Sequence, residues 1–317
     1  MRLIDKLPFL EPPKEKYSLL PPLNKLNIPF LGKKEKIVFP FVVDTVFYRG
    51  ICFNNKYQIL LKPFEKVYPE ETTFEEVLMH FKEELRELTA QKPKLFTNTS
   101  FGTYIPAQFG LVKIYTFPKG IKKSELIQSI ELYIQEEISG NFPHTEVLYS
   151  YDILDRNENE PYRVLVTIVE SEIVRKIEEV FEAVGLKLDV ISYEPVCVIN
   201  LGLLKGLPEP FTILYTERNK ILIVSYRRDN IIYETFSYLF SEDKITEDLL
   251  NLIIWDIRNY IVLNDIGNIY LAGIVTEYEH LTEFFLEKLP IFGIVSIDKF
   301  SERYALTYIL GERLLNA

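Results

Sequence analysis

The chain has 317 residues, a formal net charge of −10, and apolar and charged fractions of 47% and 26%. That length suits two lobes or several subdomains rather than one small core. The balanced composition excludes intrinsic disorder, and the acidic excess excludes a general nucleic-acid binder, which presents a basic face.

Other broad classes are also excluded. Apolar runs stay short of the roughly 20 residues of a bilayer span, and Pro, Lys and Glu interrupt the start too often for a signal peptide. Cys52 and Cys197 form no CxxC pair, and His80, His144 and His280 are scattered, so no metal site is expected. The expectation is a soluble intracellular protein.

Residues 1–36 read as a proline-rich extended arm. Pro8, Pro12, Pro13, Pro21, Pro22 and Pro29 prevent a regular helix, while recurring Leu, Ile and Phe imply that the arm docks on a surface. Strands are expected at 37–44, 47–53 and 57–62, with Asn54-Asn55 as a hairpin turn. An amphipathic helix follows at 73–88, capped through Thr72 or Thr73 and the nearby Glu75 and Glu76. Segments 94–97 and 111–117 read as further strands.

The next unit, 118–189, reads as an inserted α+β subdomain: helix 124–138, strand 147–154, polar turn 155–160, strand 162–169, helix 171–184 and strand 186–190. Ser171 is the expected N-cap of its second helix, and Gly185 the residue that ends it. The final third reads as strands 211–216, 220–227 and 230–238, helix 245–263, strand 268–272, helix 276–289, strand 293–297 and helix 301–315. Two blocks of three strands, a helix and a strand indicate an internal duplication. The expected fold is α/β, a duplicated actin-like (ribonuclease H-like) pair of lobes. Lobe I takes 37–117, 190–210 and 301–317, and lobe II takes 211–300.

In such a fold a nucleotide lies where certain strands end, and glycine there lets backbone N–H groups close on phosphate. Here the runs 41–45, 212–216 and 269–273 end as Asp44-Thr45, Tyr215-Thr216 and Ala272-Gly273. These six residues are the candidate vestige of a nucleotide site. Asp44 is the carboxylate for any cation, and its alternative role is to satisfy a turn amide. Bulky Phe47, Tyr215 and Ile274 are expected to intrude on phosphate or adenine, and no lysine stands in a P-loop context.

Other candidates have simpler readings. Asp152 and Asp155 fit a solvated turn, and the acidic run 243–248 a helix N-terminus. Arg227 and Arg228 fit a hairpin surface. Ser100, Ser192 and Cys197 lack a neighbouring His, and the last helix has too few basic residues for a membrane anchor.

The chain resembles the PilM family, the cytoplasmic actin-like component of type IV pilus assembly, from about residue 37 to its end. The resemblance is best in the strand and Pro118-Lys119 turn of 114–154 and in the stretch 162–195 that ends Tyr193-Glu194-Pro195. It extends through the helix at 243–261 and the stretch 268–298. The departures fall on the family's phosphate-approaching glycines, replaced by Thr45-Val46-Phe47, Tyr215-Thr216-Glu217, Phe240-Ser241-Glu242 and Ala272-Gly273-Ile274.

The resemblance implies an adaptor, cytoplasmic and peripheral to the inner membrane, and the loss of these glycines implies that it is non-catalytic and holds no cofactor. It implies as partner the extended N-terminal tail of a PilN-like inner-membrane protein, in a groove walled by Phe117, Ile121, Leu126 and Ile130. The start of this chain, with Ile4, Leu7 and Pro8, is similar to that tail motif. The arm could fill the groove in cis or on a second copy, which leaves a homo-oligomer open. Alternatives are an ATP–Mg-binding actin-like ATPase, a cytoplasmic GspL-like component of type II secretion, and a division protein of the FtsA type.

Overall fold

The computed structural model describes residues 18–19, 35–154, 161–238 and 246–316. The first sheet contains β1 (Ser18–Leu19) and the antiparallel meander β2 (Ile37–Val43), β3 (Phe47–Asn54) and β4 (Ile59–Val67). Asn54 shapes the β3–β4 turn, because its Oδ1 accepts from the Lys56 and Gln58 N–H groups. Helix α1 (Phe74–Gln91) begins at a capping box: Thr73 Oγ1 accepts from the Glu76 N–H, and the Glu76 carboxylate accepts from the Thr73 N–H. The segment 94–97, expected as a strand, is instead the single turn α2 (Pro93–Phe96), with Pro93 at a helix start where its missing N–H costs nothing. The strand β5 (Thr99–Ile105) follows it.

The insertion comprises β6 (Gly110–Phe117), α3 (Lys123–Asn141), β7 (Val147–Ile153) and β8 (Tyr162–Glu170). Its strands form a separate antiparallel sheet, ordered β6-β8-β7. The lower boundary therefore lies near Gly110 rather than 118. The upper one also moves, because α4 (Ser171–Glu182) packs on α1 and lays Phe181 on Phe41 with ring centroids 4.9 Å apart. Ser171 does not cap α4. It is the first helical residue, and Glu170 before it makes no side-chain capping bond. The helix ends as expected, with Gly185 at φ +73° and the Leu186 N–H closing on the Phe181 carbonyl.

The last strand of the first sheet, β9 (Val190–Tyr193), starts where the expected strand 186–190 ends and leads into α5 (Glu194–Leu204). The completed order is β1-β9-β5-β2-β3-β4. One face is covered by α1 and α4, where Phe41 stacks on Phe81 and Phe181, and Phe39 meets Phe96 and Phe101 edge-on.

The second lobe repeats the plan with the meander β10 (Phe211–Thr216), β11 (Lys220–Arg227) and β12 (Asn230–Ser237). It continues with α6 (Glu247–Leu263), β13 (Ile269–Gly273), α7 (Glu279–Lys288) and β14 (Ile291–Ile294). Its order, β12-β11-β10-β13-β14, matches β4-β3-β2-β5-β9 strand for strand, with the same parallel and antiparallel senses. The doubled grammar of the sequence is therefore a doubled fold.

The final helix, α8 (Ala305–Asn316), returns to pack on β2, β5 and α5, while α5 also packs on β10 and β11. One apolar core consequently runs through both lobes, from Phe41 and Phe53 through Val198 and Ile309 to Ile213 and Leu222. Separate cores lie under α6 and α7 and within the insertion. Among the described residues no helix is long and apolar enough to cross a membrane.

Candidate functional site

The equivalent hairpin turns of the two lobes, 44–46 after β2 and 217–219 after β10, meet face to face. Asp44 Oδ1 accepts from the Thr45 N–H at 2.7 Å, so it does satisfy its turn amide. The same oxygen accepts from Asn219 Nδ2 at 3.0 Å, and Asn219 Nδ2 also lies 3.1 Å from Thr45 Oγ1. The turns are thus bonded to each other directly.

Behind them stands Lys220, the first residue of β11. Its Nζ is 2.6 Å from Asp44 Oδ2, 2.8 Å from Glu194 Oε2 and 3.4 Å from Gln108 Oε1. All three charged side chains are buried. Burial alone would raise the Asp44 carboxyl, but Lys220 with the Thr45 and Asn219 hydrogen bonds brings it below its ordinary value. Glu194 shifts the other way, raised by burial and by repulsion from Asp44 against the pull of Lys220. Burial would lower the Lys220 ammonium, yet its two carboxylates hold it above its ordinary value.

A second charged cluster, buried at Arg49 and Glu217 and half-buried around them, adjoins the first. Arg49, in the middle of β3, pairs both terminal guanidinium nitrogens with Glu217, at 2.5 and 2.9 Å, and reaches Glu65 of β4 at 2.6 Å. Glu65 also takes Arg218 at 2.9 Å and Arg303 at 3.1 Å, and Arg303 pairs with Glu277. Three arginines meet three glutamates from both lobes and the segment before α8. Burial pushes the Glu217 carboxyl up to about 7, with Arg49 opposing and Glu65 adding to the rise. The Arg49 guanidinium sits 4.4 Å over the Phe47 ring.

The sequence missed most of this. Lys220, Glu194, Arg49, Glu65, Glu217, Arg303 and Glu277 were not candidates. The available signal was charge where apolar strands leave no place for it: Arg49 within β3, Lys220 opening β11, and Glu194 and Glu217 directly following β9 and β10.

Of the six vestigial-site residues, only Asp44 and Thr45 join the polar cluster. Tyr215, Thr216 and Ala272 are buried. Thr216 Oγ1 donates to the Ala272 carbonyl and accepts from the Val275 N–H, and Gly273 closes on the Thr216 backbone. Phe47, Tyr215 and Ile274, expected to intrude on a nucleotide, are buried core side chains, and the space between the turns is taken by charged groups instead.

The groove residues are also corrected. Phe117, Leu126 and Ile130 are buried in the insertion's own core, and the partly buried Ile121 packs against it. Ile4, Leu7 and Pro8 lie outside the described residues. Ser18 and Leu19 of the arm pair in parallel with Val190 and Ile191 of β9, on the first sheet rather than the insertion.

These residues do not fit a magnesium nucleotide. A phosphate chain would need free N–H groups at both turns and an unpaired carboxylate for the metal. Both turns are instead closed on each other, and Asp44 carries a lysine. Among the described residues no group of His, Cys, Asp and Glu is arranged to hold a metal ion.

The two lobes, their strand order and the facing turns define an actin-like fold. The chain is similar in structure to a PilM–PilN type IV pilus biogenesis complex, at 14% identity over 88% of this chain and 98% of that chain, with a TM-score of 0.66. Weaker likenesses, both at TM-score 0.48, are to a Bacteroides thetaiotaomicron protein with an actin-like ATPase fold and to the cytoplasmic domain of Vibrio cholerae EpsL. The first has 12% identity over 86% of this chain and 96% of that chain, the second 10% over 89% and 95%. No family model and no curated protein matches the chain.

Proposed function

We propose that this chain is a non-catalytic adaptor of the PilM kind. It works on the cytoplasmic face of an inner-membrane platform for type IV pilus or related type II secretion assembly, and it holds the extended tail of a PilN-like partner. The observation that carries this reading is the fold match to the PilM–PilN complex, which covers nearly all of both chains. The resemblance of 114–154 and 162–195 to the PilM family agrees with it. A nucleotide-independent role rests on the bonded turns and on Lys220 at Asp44.

With Phe117, Leu126 and Ile130 in a core, the surface best suited to an extended tail is the outer edge of β9. That edge accepts Ser18–Leu19 as a parallel strand, and main-chain pairing of this kind gives affinity to extended peptides. The test is titration of the full chain with a fluorescent peptide carrying the Ile-Asn-Leu-Leu-Pro tail motif, with and without Mg-ATP. Saturable binding that ignores nucleotide is expected, and a chain starting at residue 35 should bind more tightly because the β9 edge is free. Absence of binding to either chain would sink the adaptor reading. A thermal shift of several degrees with millimolar Mg-ATP would favour the ATP-binding alternative.

A further inference from the structure

We propose that Asp44, Glu194, Gln108 and Asn219 form a cation cage whose resident cation is the chain's own Lys220 ammonium, and that this internal cation fixes the two lobes relative to each other. The inference goes beyond the adaptor reading and stands without it.

The cage is assembled across the lobe boundary. Asp44 follows β2, Gln108 lies before β6 and Glu194 opens α5, while Asn219 and Lys220 come from the β10–β11 hairpin of lobe II. The ammonium has three protons, and three oxygens receive them: Asp44 Oδ2 at 2.6 Å, Glu194 Oε2 at 2.8 Å and Gln108 Oε1 at 3.4 Å. Two carboxylates removed from water demand a cation, and here it is supplied by the opposite lobe. Two further oxygens of these residues, Glu194 Oε1 beside the ammonium's partner oxygen and Asn219 Oδ1 on the amide that bonds to Asp44, are buried and receive no hydrogen bond. The cage therefore holds more acceptors than one ammonium uses, and oxygen-rich acidic surroundings are what hard cations select. The Asn219 bridge to Asp44 and Thr45 and the Arg49–Glu217 pair cross the same boundary, so opening the lobes would expose or strand several charges together.

Removing the ammonium should leave a cage that a free cation can enter. Lys220→Ala is compared with wild type by thermal unfolding in chelated buffer, then with Mg²⁺, Ca²⁺ or methylammonium added. The variant is expected to lose about 5–10 °C and to regain several degrees, saturably, with at least one of these cations, while wild type does not respond. Adding Asp44→Asn to Lys220→Ala should abolish the cation response. In parallel, spin labels at Met79→Cys on α1 and Leu252→Cys on α6 report the distance between lobes. Both positions are exposed, and the native cysteines are buried. Wild type should give one narrow distance, unchanged by Mg-ATP, and Lys220→Ala a broader one that narrows with the rescuing cation. An unchanged melting temperature in Lys220→Ala, or a loss that none of the cations relieves, overturns the proposal. If Lys220→Ala does not fold, the wild-type distance decides: two populations, or a shift with Mg-ATP, overturns the lock, and one fixed distance supports it.

Discussion

Gly273 stands at a nucleotide motif's position, and the backbone itself demands a glycine there. It ends β13 at φ +90°, and a Cβ there would lie 2.2 Å from the Thr216 carbonyl oxygen and 2.9 Å from the Thr216 nitrogen. Strand pairing sets Thr216 opposite Gly273, and the Thr216 hydroxyl bonds across to Ala272 and Val275. The glycine permits a clasp between β10 and β13. Gly273→Ala should therefore destabilise the fold by about 2–4 kcal/mol, from the left-handed backbone and the clash together. Urea unfolding checks this, and a change below about 0.5 kcal/mol would refute it. Asp44 was legible as a strand-end carboxylate because its neighbours in sequence imply a turn. Its partner Lys220 was not, because the two are 176 residues apart and nothing local links them. Arg49 and Glu217 are separated by 168 residues, with the same consequence.

Elements were legible where one face is buried and the other is wet. The stripe Phe74, Val77, Leu78, Phe81 and Leu85 marked α1 in this way, whereas β10 and β11, buried on both faces, were marked by short continuous apolar runs between turn residues. The helix α5 carried no such mark. Nine consecutive residues, from Glu194 to Gly202, are buried between the two sheets, so apolar residues occur all round it and the helical period vanishes. The mistaken strand at 94–97 failed for a related reason: a four-residue element barely exceeds one helical turn, too short for its pattern to separate helix from strand. The allocation of α4 turned on packing that sequence order hides. Its stripe points chiefly at α1 and the Phe41 ring and only secondarily at β7 and β8, so lobe I depends on it more than the insertion does. Phe181→Ala should cost about 3–5 kcal/mol and accelerate hydrogen exchange in α1 and β2. The amides of β6 and β8 should keep their protection. Exchange that rises in β6 and β8 and leaves α1 unchanged would return α4 to the insertion.

At the scale of the molecule, the lobes are joined in three ways: by the continuous core around α5 and α8, by the charged clusters between the turns, and by the facing turns themselves. The duplication was readable because each lobe repeats the same succession of strands and helices. The interface between lobes was not, since it is made of long-range pairs of charges and of helices that leave one lobe to pack on the other. A hinge open to nucleotide would let each lobe unfold near its own midpoint, whereas a shared core requires them to unfold together. Trp255 gives a direct test, because it is the single tryptophan and lies on α6 in lobe II. Its fluorescence should follow the same urea midpoint and slope as far-UV circular dichroism, which averages over both lobes. Arg49→Met leaves Glu217 buried without its cation and should reduce the unfolding free energy by about 3–5 kcal/mol, moving that common midpoint down for both probes alike. Midpoints that separate in the wild-type chain would mean that the lobes are independent and that the buried charges do not couple them.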